Sequence, residues 1–419
     1  MTVVSRTRSF ECLVFGFFLF FIGSFGRTVT GSEVIEAIIK LFGWFFIIIG
    51  WGGSRVSFHS NGIGIGYMFL VLFWIIQSII MIIRGYLIDY EYQYFTVQGM
   101  INAHFFADHY ILPYLMPLVL FVSWKSVNFD TFIKFSKFIA VIVAVLLLFN
   151  YRSIAADTIS MTQGKIEDSI VFSNRSFAIF FLFAFSTFCY KYISHSSWVV
   201  CMLGLLCNTV ILMMSARRGD SLVNAIVLCC ALIIFICASQ KKTRYLYSFL
   251  LLVGVIGAVY VVLNSQIFSF LLERGFEDSR TEVDKAMLSQ MNNFQLWFGK
   301  GLNGRYYHPL MADDYWRGWR YGTETGFFNL VLKGGFVYAI TYVVMLLIPA
   351  LKGMFRSKNT FCRVAGLYIF ISLLELYPFG WLKFDIKFLI IWLLIVLCMN
   401  KKVRDMNDLE VKLLFFPKS

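Results

Sequence analysis

Charged residues are scarce in this chain. Asp, Glu, Lys and Arg together make up 15% of its 419 residues, where soluble domains have about 25%. Apolar residues make up 59%, a larger fraction than one water-soluble core of this size can hide. The composition therefore excludes a soluble globular domain and indicates an integral membrane protein.

Proline is scarce as well, with six residues in all, and long apolar runs recur along the chain. Each run is about long enough to cross about 30 Å of hydrocarbon, and only a helix satisfies its own backbone groups there. We predict an all-α, polytopic transmembrane bundle of about twelve spans; two short runs leave ten or eleven as an alternative. The predicted spans are residues 11–25, 34–51, 63–83, 109–123, 132–150, 174–190, 197–215, 221–238, 245–264, 325–351, 363–378 and 382–399.

The positions of Lys and Arg in the short loops predict the orientation. With the N-terminus in the cytoplasm, most of these basic residues fall on the cytoplasmic side, which also predicts a cytoplasmic C-terminus. The formal net charge of +13 is thus a topology signal and not a sign of nucleic-acid binding. The predicted organisation is residues 1–264 for spans one to nine, 265–324 for a large outer loop, 325–399 for spans ten to twelve and 400–419 for a cytoplasmic tail.

Neither cysteine nor histidine forms a pattern that predicts a metal site. The nine cysteines fall in or beside the predicted spans, and the five histidines are scattered, without Cys-x-x-Cys or His-x-Glu spacing. We interpret the cysteines as small apolar residues and expect no disulfide framework. We also expect no metal and no other cofactor.

The outer loop, residues 265–324, is too long to be a simple connector. Ser279 and Glu282 have the spacing of a capping box. After them, Val283, Ala286, Met287, Met291 and Phe294 recur at helical spacing. We therefore predict short helices in this loop, with one amphipathic helix lying on the outer membrane surface or against the bundle.

Three arginines have positions that suit an anionic ligand. Arg280 falls in the first turn of the predicted loop helix, where backbone donors and a guanidinium group both favour phosphate. The alternative is an ion pair with Glu277 or Asp284. Arg217 and Arg218 are adjacent at the outer end of span seven, where charge beside hydrocarbon usually has an anionic partner or a function; snorkelling to lipid phosphates is the alternative there.

Aromatic residues crowd the second half of the outer loop. Rigid rings with a polar edge suit the apolar faces of sugars, and they also anchor proteins at membrane interfaces. The rings by themselves favour interface anchoring, and a sugar-binding surface is the alternative that we carry forward. The candidate residues are Tyr315, Trp316, Trp319 and Tyr321.

The chain resembles the O-antigen polymerase and ligase superfamily. The shared features are about twelve spans, cytoplasmic termini, Arg218-Gly219 after the seventh span and one large outer loop before the tenth. The loop closes with GTETGFFNLVLKGGFVY, residues 322–338, which looks like the matching span of Wzy-type polysaccharide polymerases, where a polar pair, often His-Asn, precedes a glycine-containing apolar helix. The resemblance covers topology along the whole chain and sequence detail near residues 215–220 and 279–338.

The resemblance implies metal-independent glycosyl transfer on the periplasmic face of a bacterial inner membrane. Donor and acceptor would be glycans linked to undecaprenyl pyrophosphate, in contact with membrane lipids, and a flippase and a chain-length regulator would be partners. Arg218 and Arg280 match two family arginines and would bind pyrophosphate, with Arg217 beside Arg218 as a further candidate. Lys333 would either hold a phosphate or pair with a buried acid. Glu324 stands where the family has a loop histidine, so the general base is open between Glu324 and His308.

Two other functions compete with the polymerase. A ligase, which transfers finished polymer to a lipid A core, shares the superfamily, but the LVLKGG stretch looks more like polymerases. A transporter or flippase belongs to another class and would usually show an internal repeat or helices broken by Gly and Pro near mid-membrane. The sequence shows no clear sign of either feature.

Overall fold

The computed structural model is built from α-helices. It describes residues 3–30, 32–56, 59–88, 101–145, 180–214, 218–239, 279–309, 318–377 and 381–417. The helices are α1 (Val3–Thr30), α2 (Glu33–Ser54), α3 (Ile65–Ile88), α4 (130–145), α5 (180–188), α6 (His195–Met214), α7 (Arg218–Ala238), α8 (Ser279–Ser289), α9 (Asn293–Phe298), α10 (Gly326–Phe355), α11 (Thr360–Leu374), α12 (Ile386–Met399), α13 (Lys401–Asp405) and α14 (Asp408–Phe415).

Among the described residues, four helices are long and apolar enough to cross a membrane. They comprise Arg6–Ser24 of α1, the whole of α2, Ile65–Tyr86 of α3 and the whole of α10. Shorter apolar helices include α11 and α12. The chain is therefore an all-α membrane protein, as the composition predicts. The total of twelve spans stays a prediction, and span nine, predicted at 245–264, lies outside the described residues.

The prediction of an α-helical span at 109–123 is wrong. Leu112–Phe121 is instead a 3₁₀ helix, with Pro113 in its first turn and Pro117 inside it. Each proline lacks the backbone N–H that an α-helix would need. The tighter 3₁₀ winding also leaves this segment only about 20 Å long, which is shorter than the hydrocarbon core.

One compact unit comprises Met1–Val127 and Asp278–Val411. Helix α12 lies at its centre, because all of its residues from Ile386 to Met399 are buried and it packs against α1, α10, α11 and the 3₁₀ helix. Lys387, in the first turn of α12, forms a buried ion pair with Glu375 at the end of α11. Intramembrane charges are tolerated when they are paired in this way.

The second unit comprises Asn128–Glu277 and Lys412–Ser419. Helices α6 and α7 form an antiparallel pair in it. The C-terminal residues pack on the segment before α4, where the Phe129 N–H donates to the Phe415 carbonyl over 2.8 Å. The ring of Phe416 stacks on Tyr192 with 5.4 Å between centroids.

Candidate functional site

The described part of the loop predicted at 265–324 meets helix α10 at a break in that helix. Gly335 has φ 79° and ψ 178°, a conformation that is essentially restricted to glycine. Gly299, which ends α9, has φ 72° and ψ 178°. A Cβ on Gly335 would lie 2.2 Å from the Trp297 carbonyl carbon, and one on Gly299 would lie 2.1 Å from the Lys333 carbonyl oxygen. The two backbones therefore touch with no side chain between them.

The loop backbone also donates hydrogen bonds to carbonyl groups of α10 that lose their helical partners at the break. In an unbroken helix, the carbonyls of Leu332 and Lys333 would accept from residues four positions later. Here the N–H groups of Lys300 and Gly301 donate to them over 2.8 and 2.9 Å. Because buried backbone groups need partners, the loop and the broken helix depend on each other.

Helix α3 holds the same stretch of loop from another side. Arg84 donates from Nη1 and Nη2 to the carbonyls of Phe298 and Gly299 over 2.6 and 2.7 Å. A cation at the C-terminus of a helix, here α9, is favourable. The Leu302 N–H donates to the Met81 carbonyl over 3.0 Å. The loop is thus fixed to the ends of two long apolar helices.

Beyond this contact the loop forms a small antiparallel ladder that the sequence analysis did not predict. Strand β1 (Tyr306–Tyr307) pairs with β2 (Trp319–Arg320). The Gln290 side chain extends the ladder, because its amide donates to the Tyr307 carbonyl over 2.7 Å and accepts from the Tyr307 N–H over 2.8 Å. The loop therefore has a defined structure around its aromatic residues.

Two of the predicted sugar-binding residues lie beside cations. The Arg305 guanidinium lies 4.4 Å from the centroid of the half-buried Trp319 ring. The Lys333 amine lies 6.0 Å from the Tyr321 ring and donates to the Gly304 carbonyl over 3.2 Å. Lys333, a predicted pyrophosphate-binding residue, thus contacts the loop.

The two candidate bases differ in their surroundings. Glu324 is exposed and lies just before Thr325, the N-cap residue of α10. His308 is only 5% exposed; its backbone N–H donates to the Gly318 carbonyl over 2.8 Å. Its Nδ1 has no hydrogen-bond partner among the described residues. Of the two side chains, that of Glu324 is the more accessible to a substrate.

A second carboxylate lies close to Glu324. Asp284 of α8 is buried and accepts from the Thr325 hydroxyl over 2.7 Å. The pKa of the Tyr306 hydroxyl is raised to about 12, mainly by burial. The positive charge of Arg320 opposes this rise, and the negative charges of Asp284 and Glu324 add to it. Tyr306 thus lies among two carboxylates and a guanidinium group. Of these three charged groups, only Glu324 was predicted as a site residue.

The predicted loop helix is two helices. Helix α8 is described from Ser279, the residue predicted to cap it, and Val283, Met287 and the following Met291 are buried. It ends at Ser289, and α9 follows after a capping box between Asn292 and Gln295. An asparagine side chain that accepts from a backbone N–H group favours the start of a helix, and Asn292 starts α9 in this way. The apolar stripe, which predicts one continuous helix, therefore gave the wrong length.

The remaining predicted residues are only partly described. Arg218 is the first residue of α7, in the second unit, and Arg280 is the second residue of α8, in the first unit. Arg217, Tyr315 and Trp316 lie outside the described residues. The residues that the structure brings into one loop region are His308, Trp319, Tyr321, Glu324 and Lys333.

Comparison with known proteins adds no family to this description. No protein-family model matches the chain, and no curated protein matches it. The fold and the loop define an all-α membrane protein in which a structured loop is fixed to the ends of apolar helices.

Proposed function

We propose that the protein is a metal-independent glycosyltransferase that polymerises undecaprenyl-pyrophosphate-linked repeat units into a surface polysaccharide. In this proposal the loop faces the periplasm of a bacterial inner membrane, the chain has about twelve spans and both termini are cytoplasmic. The observation that carries the proposal is the fixing of the loop to α3 and α10 by backbone hydrogen bonds and by the Arg84 side chain. This arrangement holds aromatic and charged side chains at the ends of apolar helices, where the phosphates of a lipid-linked glycan lie.

The chemistry requires a base and a stabilised leaving group. The acceptor hydroxyl oxygen bonds to the anomeric carbon of the donor, and its proton passes to the Glu324 carboxylate. The bond from that carbon to the pyrophosphate oxygen breaks, and the electron pair leaves with the pyrophosphate. Charge-assisted hydrogen bonds from a guanidinium group stabilise the developing negative charge and need no metal. Arg280, in the same unit as Glu324, is the candidate for this role, and Arg218 is a candidate by the resemblance alone.

Trp319 and Tyr321 supply the sugar-binding surface. A ring that is half exposed presents an apolar face to a sugar, and Arg305 on the Trp319 ring holds that ring in place by a cation–π contact. Tyr315 and Trp316 belong to the same proposed surface.

Glu324→Gln is expected to slow chain growth by about 100-fold or more, because removing a positioned general base typically has an effect of this size. His308→Ala is expected to cause a smaller loss. The measurement is polymer formation by purified protein from lipid-linked repeat units. The matched control is Glu282→Gln, an exposed carboxylate of α8 in the same loop, which should polymerise normally. A normal Glu324→Gln protein with an inactive His308→Ala protein would reverse the assignment.

Deletion of the protein in its native host is expected to leave single repeat units joined to the final carrier, because a polymerase extends lipid-linked units before transfer. Surface polysaccharide resolved on a gel measures this. Loss of a ligase, our second candidate, would instead strand long chains on undecaprenyl pyrophosphate, and loss of a flippase would leave no repeat units on the carrier at all.

The break at Gly335 bears on the transporter alternative. A transporter uses broken helices near mid-membrane to hold substrates and ions. In α10 the break leaves about 20 residues, from Phe336 to Phe355, or about 30 Å of helix, which alone spans the hydrocarbon. The segment after the break is thus long enough to span alone, and the carbonyls at the break accept from the loop, so the break does not favour transport.

A further inference from the structure

Helix α9 exposes three large aromatic side chains. Phe294 is 60% exposed, Trp297 55% and Phe298 47%. We call these three residues the aromatic wedge. Single exposed apolar residues are normal on protein surfaces, but a contiguous cluster marks an interaction surface.

The aromatic wedge is held rigidly in this exposed position. The capping box of Asn292 and Gln295 fixes the start of α9, and Arg84 binds the carbonyls at its end. The Trp297 backbone also lies directly against Gly335. The rings therefore cannot turn inward without breaking the contact that joins the loop to α10.

The wedge continues an apolar surface that belongs to the membrane helices. On α3, Ile76, Ile79 and Ile83 are about half exposed, and α3 is one of the helices long and apolar enough to span a bilayer. Arg84 is the next residue after Ile83, at the edge of this face, and its guanidinium lies 5.3 Å from the Phe294 ring. The apolar face thus runs from the spanning part of α3 onto the wedge.

Helix α10 gives a second, independent indication of where the wedge lies relative to the bilayer. The Trp297 ring lies 6.2 Å from the ring of Phe336, the residue at which α10 resumes after its break. The segment from Phe336 onward is about 30 Å long and matches the hydrocarbon thickness. The wedge therefore lies level with one boundary of the hydrocarbon core.

We propose that the aromatic wedge inserts into the lipid bilayer at the boundary between head groups and acyl chains. Trp and other aromatic residues favour this boundary, because their rings are apolar and their edges polar. The insertion sets the height of the loop, and of the residues that it carries, relative to the lipid head groups. This inference does not depend on the proposed chemistry.

Fluorescence quenching in reconstituted vesicles tests the proposal. The emission of Trp297 is obtained as the difference between wild-type protein and Trp297→Phe, a change that keeps an aromatic ring in the wedge. We expect lipids brominated near the top of the acyl chain to quench this emission by about twofold or more, and lipids brominated near the methyl end to quench it less, as for an interfacial ring. Iodide in the aqueous phase should have little effect.

The matched control is Trp319→Phe, which changes a tryptophan of the same loop that lies under Arg305. Its difference emission should not respond to brominated lipid. Quenching of Trp297 by iodide but not by brominated lipid would overturn the proposal. Resistance of Trp297 to both quenchers would overturn it too, because another protein surface would then cover the wedge.

Discussion

Gly335→Ala is expected to destabilise the protein by about 2–6 kcal/mol. The backbone conformation at Gly335, φ 79° and ψ 178°, costs a residue with a side chain about 1–3 kcal/mol. The added methyl group would also overlap the Trp297 backbone, 2.2 Å away, and overpacking typically costs a further 1–3 kcal/mol. The measurement is the fraction of monodisperse protein that survives heating in detergent, followed by size-exclusion chromatography.

Two further variants make this test specific. Gly299→Ala should have an effect in the same direction, because Gly299 has a similar backbone conformation and faces the Lys333 carbonyl. Gly66→Ala in α3 is the control, since a Cβ there would have no heavy atom within 4 Å. If Gly335→Ala were as stable as Gly66→Ala, the contact between α9 and α10 would be absent from the protein.

Arg218→Ala and Arg280→Ala are each expected to abolish detectable chain growth while leaving the amount of folded protein unchanged. Losing one hydrogen-bond donor that stabilises transition-state charge typically reduces the rate by about 100- to 1000-fold. Each arginine lies in the first turn of a helix, where backbone donors add to its charge. Polymer length is measured on gels at matched protein levels in the membrane.

Arg356→Ala is the control for loss of a positive charge, because Arg356 is exposed at the opposite end of α10. Lysine replacements refine the test, since lysine keeps the charge but lacks the two-pronged donor geometry of arginine. A variant of Arg218 or Arg280 that polymerises like wild type would remove that residue from the proposed site.

The long helices were largely predictable from the sequence. The spans predicted at 34–51 and 63–83 correspond to α2, Glu33–Ser54, and α3, Ile65–Ile88. A long apolar run in lipid forms a helix, because a helix satisfies its own backbone groups. Composition and length are therefore enough to predict these helices. The 3₁₀ helix at Leu112–Phe121 was missed although its prolines gave the signal, because hydropathy alone was used to assign the span.

The loop was less predictable because its structure depends on contacts between distant residues. Gly334 and Gly335 were visible in the sequence, but only the Trp297 backbone, far along the chain, explains why Gly335 breaks α10. Strands β1 and β2 have two residues each, which is too short for a periodic pattern to reveal. Asp284 was considered only as a partner of Arg280, and the hydrogen bond that it accepts from Thr325 was not predicted.

The burial of α12 has a consequence for biogenesis. The ribosome synthesises α1, the 3₁₀ helix, α10 and α11 before α12, yet all of them pack around it. These elements are therefore made before the helix that they surround, and the ion pair of Glu375 with Lys387 forms only after α12 has been synthesised. Chains that stop before Ile386 would therefore lack the helix around which the others pack. We expect such chains to be degraded by membrane quality-control proteases.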